Sequence, residues 1–489
     1  MTNRVALSVV ERFAFAGGYE FGTVGAYERL VGRAHFAVDP AGAAQRGITD
    51  LDKAPTDGDG LAHFTGDFLI LKPADPARGN CRLFFDYGNR GNKRMLQFFN
   101  DAPASNDPRT LAQAGNGFLM RRGYTVSWLA WQGDLLPGNG RLLLDLPVAR
   151  ERHGPVTGLV RTEYIADRSG ITVFPLSGRV SVRSHPTVSL DPREARLTRR
   201  RYPYDEREAV PPENWCFARV EGGTGLDNQG AVQAVVPSDS HIYIPGGFEP
   251  GWIYELVYTA RDPLVLGLGH VVVRDFVSFL RYGKEDAAGR LNPLCERDRT
   301  IEKAYAWGRS QTGRYLRDFV YRGFNADTAG RKVFDGILPH VAGAGRMWLN
   351  HGIVKEPPDI VAGSDYTILV PAVDADGNDR AGVRAPMVAA PLGTYCGWNL
   401  RARGFGHGAM HEFSASYIPL PETPEERRAT GDPRRSILER YQNAEAYVRA
   451  ITAAARRLVE QGLMLEEDVE RAAEVAADWG RPRHDIGLG

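Results

Sequence analysis

The sequence predicts an α/β fold: a mostly parallel sheet carrying helices, with a β-rich first part, a β-rich insertion and a helical tail. Three observations predict it. Apolar runs of strand length recur at 81–87, 123–131, 254–260, 301–307 and 333–340, as strands buried on both faces require. Between the later runs lies a helical pattern at 267–282, with Val271, Val272, Phe276, Phe279 and Leu280 on one side. One strand runs directly into a helix through Gly308-Arg309-Ser310-Gln311-Thr312-Gly313.

At 489 residues the chain has the length of two to four domains, or of one large domain with insertions. Its apolar content of 43% is ample for a core. Lysine plus arginine equals aspartate plus glutamate, 60 each, so no net field draws the chain to nucleic acid or to an acidic membrane. The 55 glycines and 31 prolines call for many turns. Cys81, Cys216, Cys295 and Cys396 show no Cys-x-x-Cys spacing and read as reduced, buried thiols rather than a disulfide or zinc framework. There is no apolar stretch behind a basic start, and no run approaches about 18 apolar residues. No secretory signal or membrane span is therefore expected, and the expected location is the cytoplasm.

In order along the chain, 1–75 is a β-rich region with strand-like runs at 5–10 and 64–71, divided by the Asp/Gly cluster at 56–60. Residues 76–141 begin the core. The run 81–87 enters the loop Gly88-Asn89-Arg90-Gly91-Asn92-Lys93, and an amphipathic segment starts at Met95-Leu96. The run 123–131 ends at Gln132-Gly133-Asp134, so Asp134 lies just past a strand end, a place suited both to a site and to a turn cap. Residues 142–240 read as an insertion of short strands, such as 170–174 and 179–182, with a basic stretch at 193–201 on a solvated face. An insertion between sheet strands acts as a lid.

Residues 241–352 hold the strand at 254–260, the helix at 267–282 and the strand at 301–307. A helix marked by Tyr315, Leu316, Phe319 and Val320 follows and stops near Gly323, before the strand at 333–340. From 353 to 489 the alternation ends. Strands at 366–371 and 384–392 flank the turn Asp374-Ala375-Asp376-Gly377-Asn378 as a hairpin. The stretch 423–479 is charged and helical, with an apolar stripe of Leu438, Tyr441, Ala444, Val448 and Ile451. The Asp-rich turn lacks the terminal Glu and flanking helices of a calcium loop, and no cofactor or metal is expected.

The chemistry centres on Ser310. A Gly two residues before it, a strand upstream and a helix downstream are the layout of a nucleophile elbow, although Thr312 stands where that pattern has a second Gly and Gly313 follows. Such a turn lifts the hydroxyl to a helix N-terminus, where free N–H groups favour the negative charge of a tetrahedral intermediate. The Gly-bearing loop of Asn89, Arg90 and Gly91 follows another strand and supplies the second half of an oxyanion hole, beside the backbone of Gln311. The same spellings also suit a helix N-cap and an Asn-stabilised turn.

These segments resemble a bacterial family, the α/β-hydrolase domain-containing proteins. The resemblance is carried by Phe21-Gly22-Thr23-Val24-Gly25-Ala26-Tyr27-Glu28-Arg29, Asn89-Arg90-Gly91-Asn92-Lys93, Trp131-Gln132-Gly133-Asp134 and Gly246-Gly247-Phe248-Glu249-Pro250-Gly251. Most telling are Gly308-Arg309-Ser310-Gln311-Thr312-Gly313-Arg314 and Pro339-His340-Val341-Ala342-Gly343-Ala344-Gly345. It implies an α/β-hydrolase fold, Ser310 as nucleophile and ester hydrolysis. The family has a long segment after the counterpart of Asn350-His351, holding the last sheet strands, an acid and a Gly-Thr-Gln-His. Here 352–358 passes almost directly to the tail hairpin.

A serine hydroxyl needs a base, and the base needs an orienting partner. The candidate bases are His340 and His351, after the strand that follows the elbow, then His411 with His407 in a later loop beside Glu412. No third ligand accompanies that pair, so it does not read as a metal site. Asp374, Asp379 and Glu356 are the candidate acids. The expected function is a serine hydrolase acting on a small-molecule carboxylic ester with a non-standard triad. The alternative is an inactive relative that binds a ligand or a protein. A sheet cut short after the elbow exposes an edge, which invites association into a homo-oligomer.

Overall fold

The structure, a computed structural model, describes residues 4–178, 181–202, 205–221, 234–295, 300–343, 347, 371–380, 382–402, 410–411 and 415–477. The chain divides into two compact units, 1–199 with 207–249 and 254–359, and 200–206 with 250–253 and 360–489.

The first unit is built on an eight-stranded sheet. Its strands are β1 (Arg4–Ala14), β2 (Tyr27–Val38), β3 (Ala62–Pro73), β4 (Arg82–Tyr87), β5 (Thr125–Leu129), the short β6 (Leu144–Asp145), and, past the insertion, Lys303–Arg309 and Gly336–His340. The insertion runs past its expected end at 240, and the run at 254–260, expected as a strand of the core, joins it instead: β7 (Thr157–Ile165), β8 (Arg196–Arg200), β9 (Glu208–Ala209) and β10 (Ile253–Arg261) form a separate four-stranded sheet in the order β9-β8-β10-β7. Lys303–Arg309 is then β11 and Gly336–His340 is β12, and the main sheet runs β1-β2-β3-β5-β4-β11-β12, with β6 beside β3.

This sheet is mixed rather than mostly parallel. β1, β2, β3 and β5 pair antiparallel in turn, whereas β5, β4, β11 and β12 pair parallel. The expected β-rich first part is thus one end of the main sheet. The links between β1, β2 and β3 carry no crossover α-helix, so each strand returns antiparallel to its predecessor. The parallel strands are the continuous apolar runs. Leu83, Phe84, Phe85 and Tyr87 of β4 are buried, as are Val126, Trp128 and Leu129 of β5. β12 ends the path among the described residues, and its Leu338 is 43% exposed.

Three helices position the site: α1 (Met95–Phe99), α2 (Leu268–Tyr282) and α3 (Gln311–Tyr321). Arg281, buried near the end of α2, donates to the carbonyls of Glu302, Lys332 and Val333, and so ties α2 to the approaches of β11 and β12. A recurring Asp-x-x-Gly loop makes tight returns at Asp57, Asp286, Asp327 and Asp374. Each Asp Oδ1 accepts the N–H groups two and four residues on, and a Gly with φ between 75° and 77° or at 73° completes the bulge.

Several expectations change. The basic stretch at 193–201 is a solvated face only in part: Arg193, Arg196 and Arg201 are exposed, but the stretch contains β8, where Leu197, Thr198 and Arg200 are buried. Proline at the first helical position turns part of the expected strand 384–392 into the short helix Pro386–Ala389. The expected tail stripe is broken, because Asn443 caps a new helix at Ala444–Glu460 after Ile437–Tyr441, and Leu438 is exposed. In the second unit Tyr441, Tyr447 and Ile451 form a small core with Leu392 and Leu420. The four thiols are half-buried and unpaired with one another. The expected strand at 366–371 lies, but for Pro371, outside the described residues, as do Arg179 and Val180 of the one at 179–182. Among the described residues no helix is long and apolar enough to cross a membrane.

Candidate active site

Ser310 sits between β11 and α3 with φ 58° and ψ −114°, a strained combination for a residue with a side chain. The surroundings hold it there. Its N–H donates to the His340 carbonyl at 2.9 Å, and its own carbonyl accepts from Arg314 N–H at 3.1 Å to start the helix. A Cβ on Gly308 would lie 2.5 Å from the Thr312 carbonyl oxygen. A Cβ on Gly313 would lie 2.9 Å from the carbonyl oxygens of both Gly308 and His340. Both flanking glycines are therefore required by close backbone approach, the second at 313 rather than at 312. Thr312, fully buried, fills the intervening position: its hydroxyl accepts from Arg309 N–H at 2.9 Å and donates to the Arg309 carbonyl at 3.0 Å, bracing the turn from within.

The loop after β4 comes to the same turn. Asn89 Nδ2 donates to the Arg309 carbonyl at 3.3 Å, and Trp131 Nε1 donates to the Gly88 carbonyl at 2.8 Å. Arg90 takes φ 51° and Gly91 φ 75°. Gly91 N–H is committed to the Gly88 carbonyl (3.2 Å), whereas Asn89 N–H meets no acceptor among the described residues. Gln311 N–H belongs to the first turn of α3, where helix donors have no partner within the helix. Asn89 N–H and Gln311 N–H are therefore among the backbone donors beside the turn that meet no acceptor among the described residues.

Buried polar groups fix this loop. Asp86, inside apolar β4, accepts through Oδ2 from Arg94 N–H (2.9 Å), Met95 N–H (2.9 Å) and Trp128 Nε1 (2.6 Å). Burial pushes its carboxyl up to about 6. The buried Lys93 ammonium donates to the carbonyls of Asn106 and Gly140, and burial pulls its pKa down to about 8. Further out, Gln311 Nε2 donates to Gln132 Oε1 at 3.5 Å, and Gln132 Nε2 donates to Asp134 Oδ1 at 2.7 Å. Burial raises the Asp134 pKa, opposed by the Gln132 hydrogen bond and by Arg90 and Arg183.

The candidate bases are differently placed. The His340 ring lies against Phe98 and Trp307, 5.9 and 6.1 Å between ring centres, and burial and the Arg309 charge lower its pKa. Its link to Ser310 is through the backbone; among the described residues no side chain is hydrogen-bonded to Ser310 Oγ. His351, His407, Glu356 and Glu412 lie outside the described residues. His411 belongs to a two-stranded ribbon, Met410–His411 with Asn399–Leu400. Asp374 is held by Arg384 at 2.8 Å, and the Asp376 carboxylate is held by Arg440. The arginines answer the charge of the Asp-rich turn.

Sequence reasoning did not single out Asp86, Thr312 or Gln132 as parts of this site. Asp86 had a visible signal, a lone carboxylate in a strand otherwise apolar. Thr312 stood in the motif, but its bracing role depends on the fold of the turn.

A family model described as alpha/beta hydrolase domain matches residues 240–365 and 346–474, two stretches that share 346–365. The search of curated proteins and the search of solved structures return no match. Over the matched stretches, which include the strained serine turn and the strands beside it, the chain is similar to the alpha/beta hydrolase domain family.

Proposed function

We propose that the protein is a serine hydrolase that cleaves a carboxylic ester. Ser310 Oγ attacks the ester carbonyl carbon, and the Asn89 and Gln311 N–H groups take the charge that develops on the carbonyl oxygen. Collapse expels the alcohol and leaves an acyl group on Ser310; water then releases the acid. The base is drawn from the imidazoles that follow the turn, His340, His351 and His411. His340 is joined to it through the Ser310 N–H bond to its carbonyl.

The observation that carries this reading is the Ser310 backbone, at φ 58°, between a parallel strand and a helix. A plain N-cap does not need that conformation, because cap residues ordinarily take extended backbone angles. The test is labelling by a fluorophosphonate. The folded protein should be modified at Ser310 and the Ser310→Ala variant should not, and a folded sample that stays unlabelled overturns the reading.

A second reading is a relative that binds ligand without turnover. It is favoured by the lack of any side-chain hydrogen bond to Ser310 Oγ among the described residues. In that case ordinary esters give no product, and Ser310→Ala leaves ligand binding unchanged.

A further inference from the structure

The insertion and the core border an open cavity of about 450 Å3, a size typical of small-molecule sites. Its wall combines Asp134 and Leu136 after β5, Val182, Arg183 and His241 from the insertion, and Leu264 on the approach to α2. It is close to the serine turn, since Asp134 is the end of the hydrogen-bonded series Gln311–Gln132–Asp134.

The charges in the wall are unevenly matched. Asp239 and Asp262 both bond to Arg261, at 2.9 and 2.5 Å, and Arg150 adds a longer contact to Asp262 at 3.5 Å. A third, half-buried carboxyl, Asp134, feels two guanidinium groups, Arg90 and Arg183. Among the described residues the Arg183 side chain makes no ion pair, although its charge acts on Asp134, so one cation borders the cavity without a carboxylate in direct contact. His241 adds hydrogen-bonding capacity without adding charge. Its Nδ1 is 3.0 Å from Ser240 Oγ, while burial and Arg219 disfavour its protonation.

We propose that this cavity binds a small organic monocarboxylate, its apolar body against Leu136, Val182 and Leu264 and its carboxylate on Arg183. A guanidinium matches a carboxylate in geometry as well as in charge, and the apolar part of the wall together with its carboxylates favours a ligand with one charged end over a polyanion. The binding claim stands without any catalysis. The hydrolase reading, if combined with it, makes the substrate an ester whose non-reacting part carries the carboxylate, and that clause alone rests on the proposed function.

The test is calorimetric titration of the Ser310→Ala protein, which lacks the hydroxyl needed for turnover, with 4-phenylbutyrate and its uncharged amide. The carboxylate should bind at one site and at least about tenfold more tightly than the amide. Arg183→Gln should abolish that preference, and Leu264→Trp, which fills the cavity, should abolish binding of both. Thermal melts of each variant check that it is folded, and Arg183, being exposed, is the substitution least able to disturb the fold. Equal affinity for acid and amide, no binding of either, or a preference that survives Arg183→Gln overturns the proposal. None of these results bears on fluorophosphonate labelling of the unsubstituted protein, so the two readings fail separately.

Discussion

Replacing Asp86 tests whether the loop beside the serine turn is held by one buried carboxylate. All three donors converge on Oδ2, and Oδ1 has no partner among the described residues. Asp86→Ala leaves three buried N–H groups unmatched. At roughly 1–3 kcal/mol each, reduced because they share one acceptor and part of the site relaxes, the expected loss is about 3–5 kcal/mol. Asp86→Asn keeps an acceptor oxygen for those donors and removes the charge. The folded carboxyl titrates at about 6 rather than at its ordinary 3.8, a difference worth about 3 kcal/mol. Because the folded state holds the proton more tightly, this contribution to stability is full only below the unfolded value of 3.8, is lost as pH rises through about 6, and is gone well above it. Asparagine has no such loss. Urea unfolding followed by tryptophan fluorescence should therefore show the stability of Asp86→Asn, relative to the unsubstituted protein, improving by about 2.5 kcal/mol between roughly pH 4 and pH 7.5. A difference that does not change with pH, or an Ala variant within about 1 kcal/mol of the parent, would refute the reasoning.

Other substitutions probe the turn itself. Gly313→Ala would improve helix propensity but places a Cβ 2.9 Å from two backbone oxygens; the clash should win, with a net loss of about 1–3 kcal/mol in thermal unfolding. Thr312→Val preserves shape and removes both hydroxyl bonds to Arg309; it should cost about 1–2 kcal/mol and slow fluorophosphonate labelling, measured by the time course of probe incorporation. Ser310→Gly relieves the strain that Ser310→Ala retains, so the Gly variant should melt above the Ala variant by an equivalent of about 1 kcal/mol. The reverse order would mean that the turn is not strained.

How much of this was legible in the sequence follows from the range of each interaction. β4, β5 and β11 were readable because a strand buried on both faces must be apolar throughout, and α2 because its apolar residues repeat at helical spacing. The serine turn was readable because close backbone approach demands glycine nearby, whichever helix follows. Strand direction was less so: nothing local in 27–38 or 62–73 distinguishes an antiparallel neighbour from a parallel one, and the antiparallel half of the sheet became visible only in the register. β8 was hidden because its arginines carry long apolar stems and, at Arg200, a buried head, so that charge concealed a strand. Pro386 was a local signal pointing to a helix start, outweighed by the apolar run around it. The cavity beside Asp134 joins segments more than 100 residues apart, and no spacing rule reaches that far.

The central claim is that Ser310 carries an acyl group during turnover. The most direct measurement is rapid-quench release of p-nitrophenol from p-nitrophenyl acetate, with the intact mass of the quenched protein. The proposed function predicts an initial burst approaching one equivalent and one added acetyl group on the peptide containing Ser310, both lost in Ser310→Ala. Linear release without a burst or an acetyl adduct, or an acetyl group on a different residue, would contradict it.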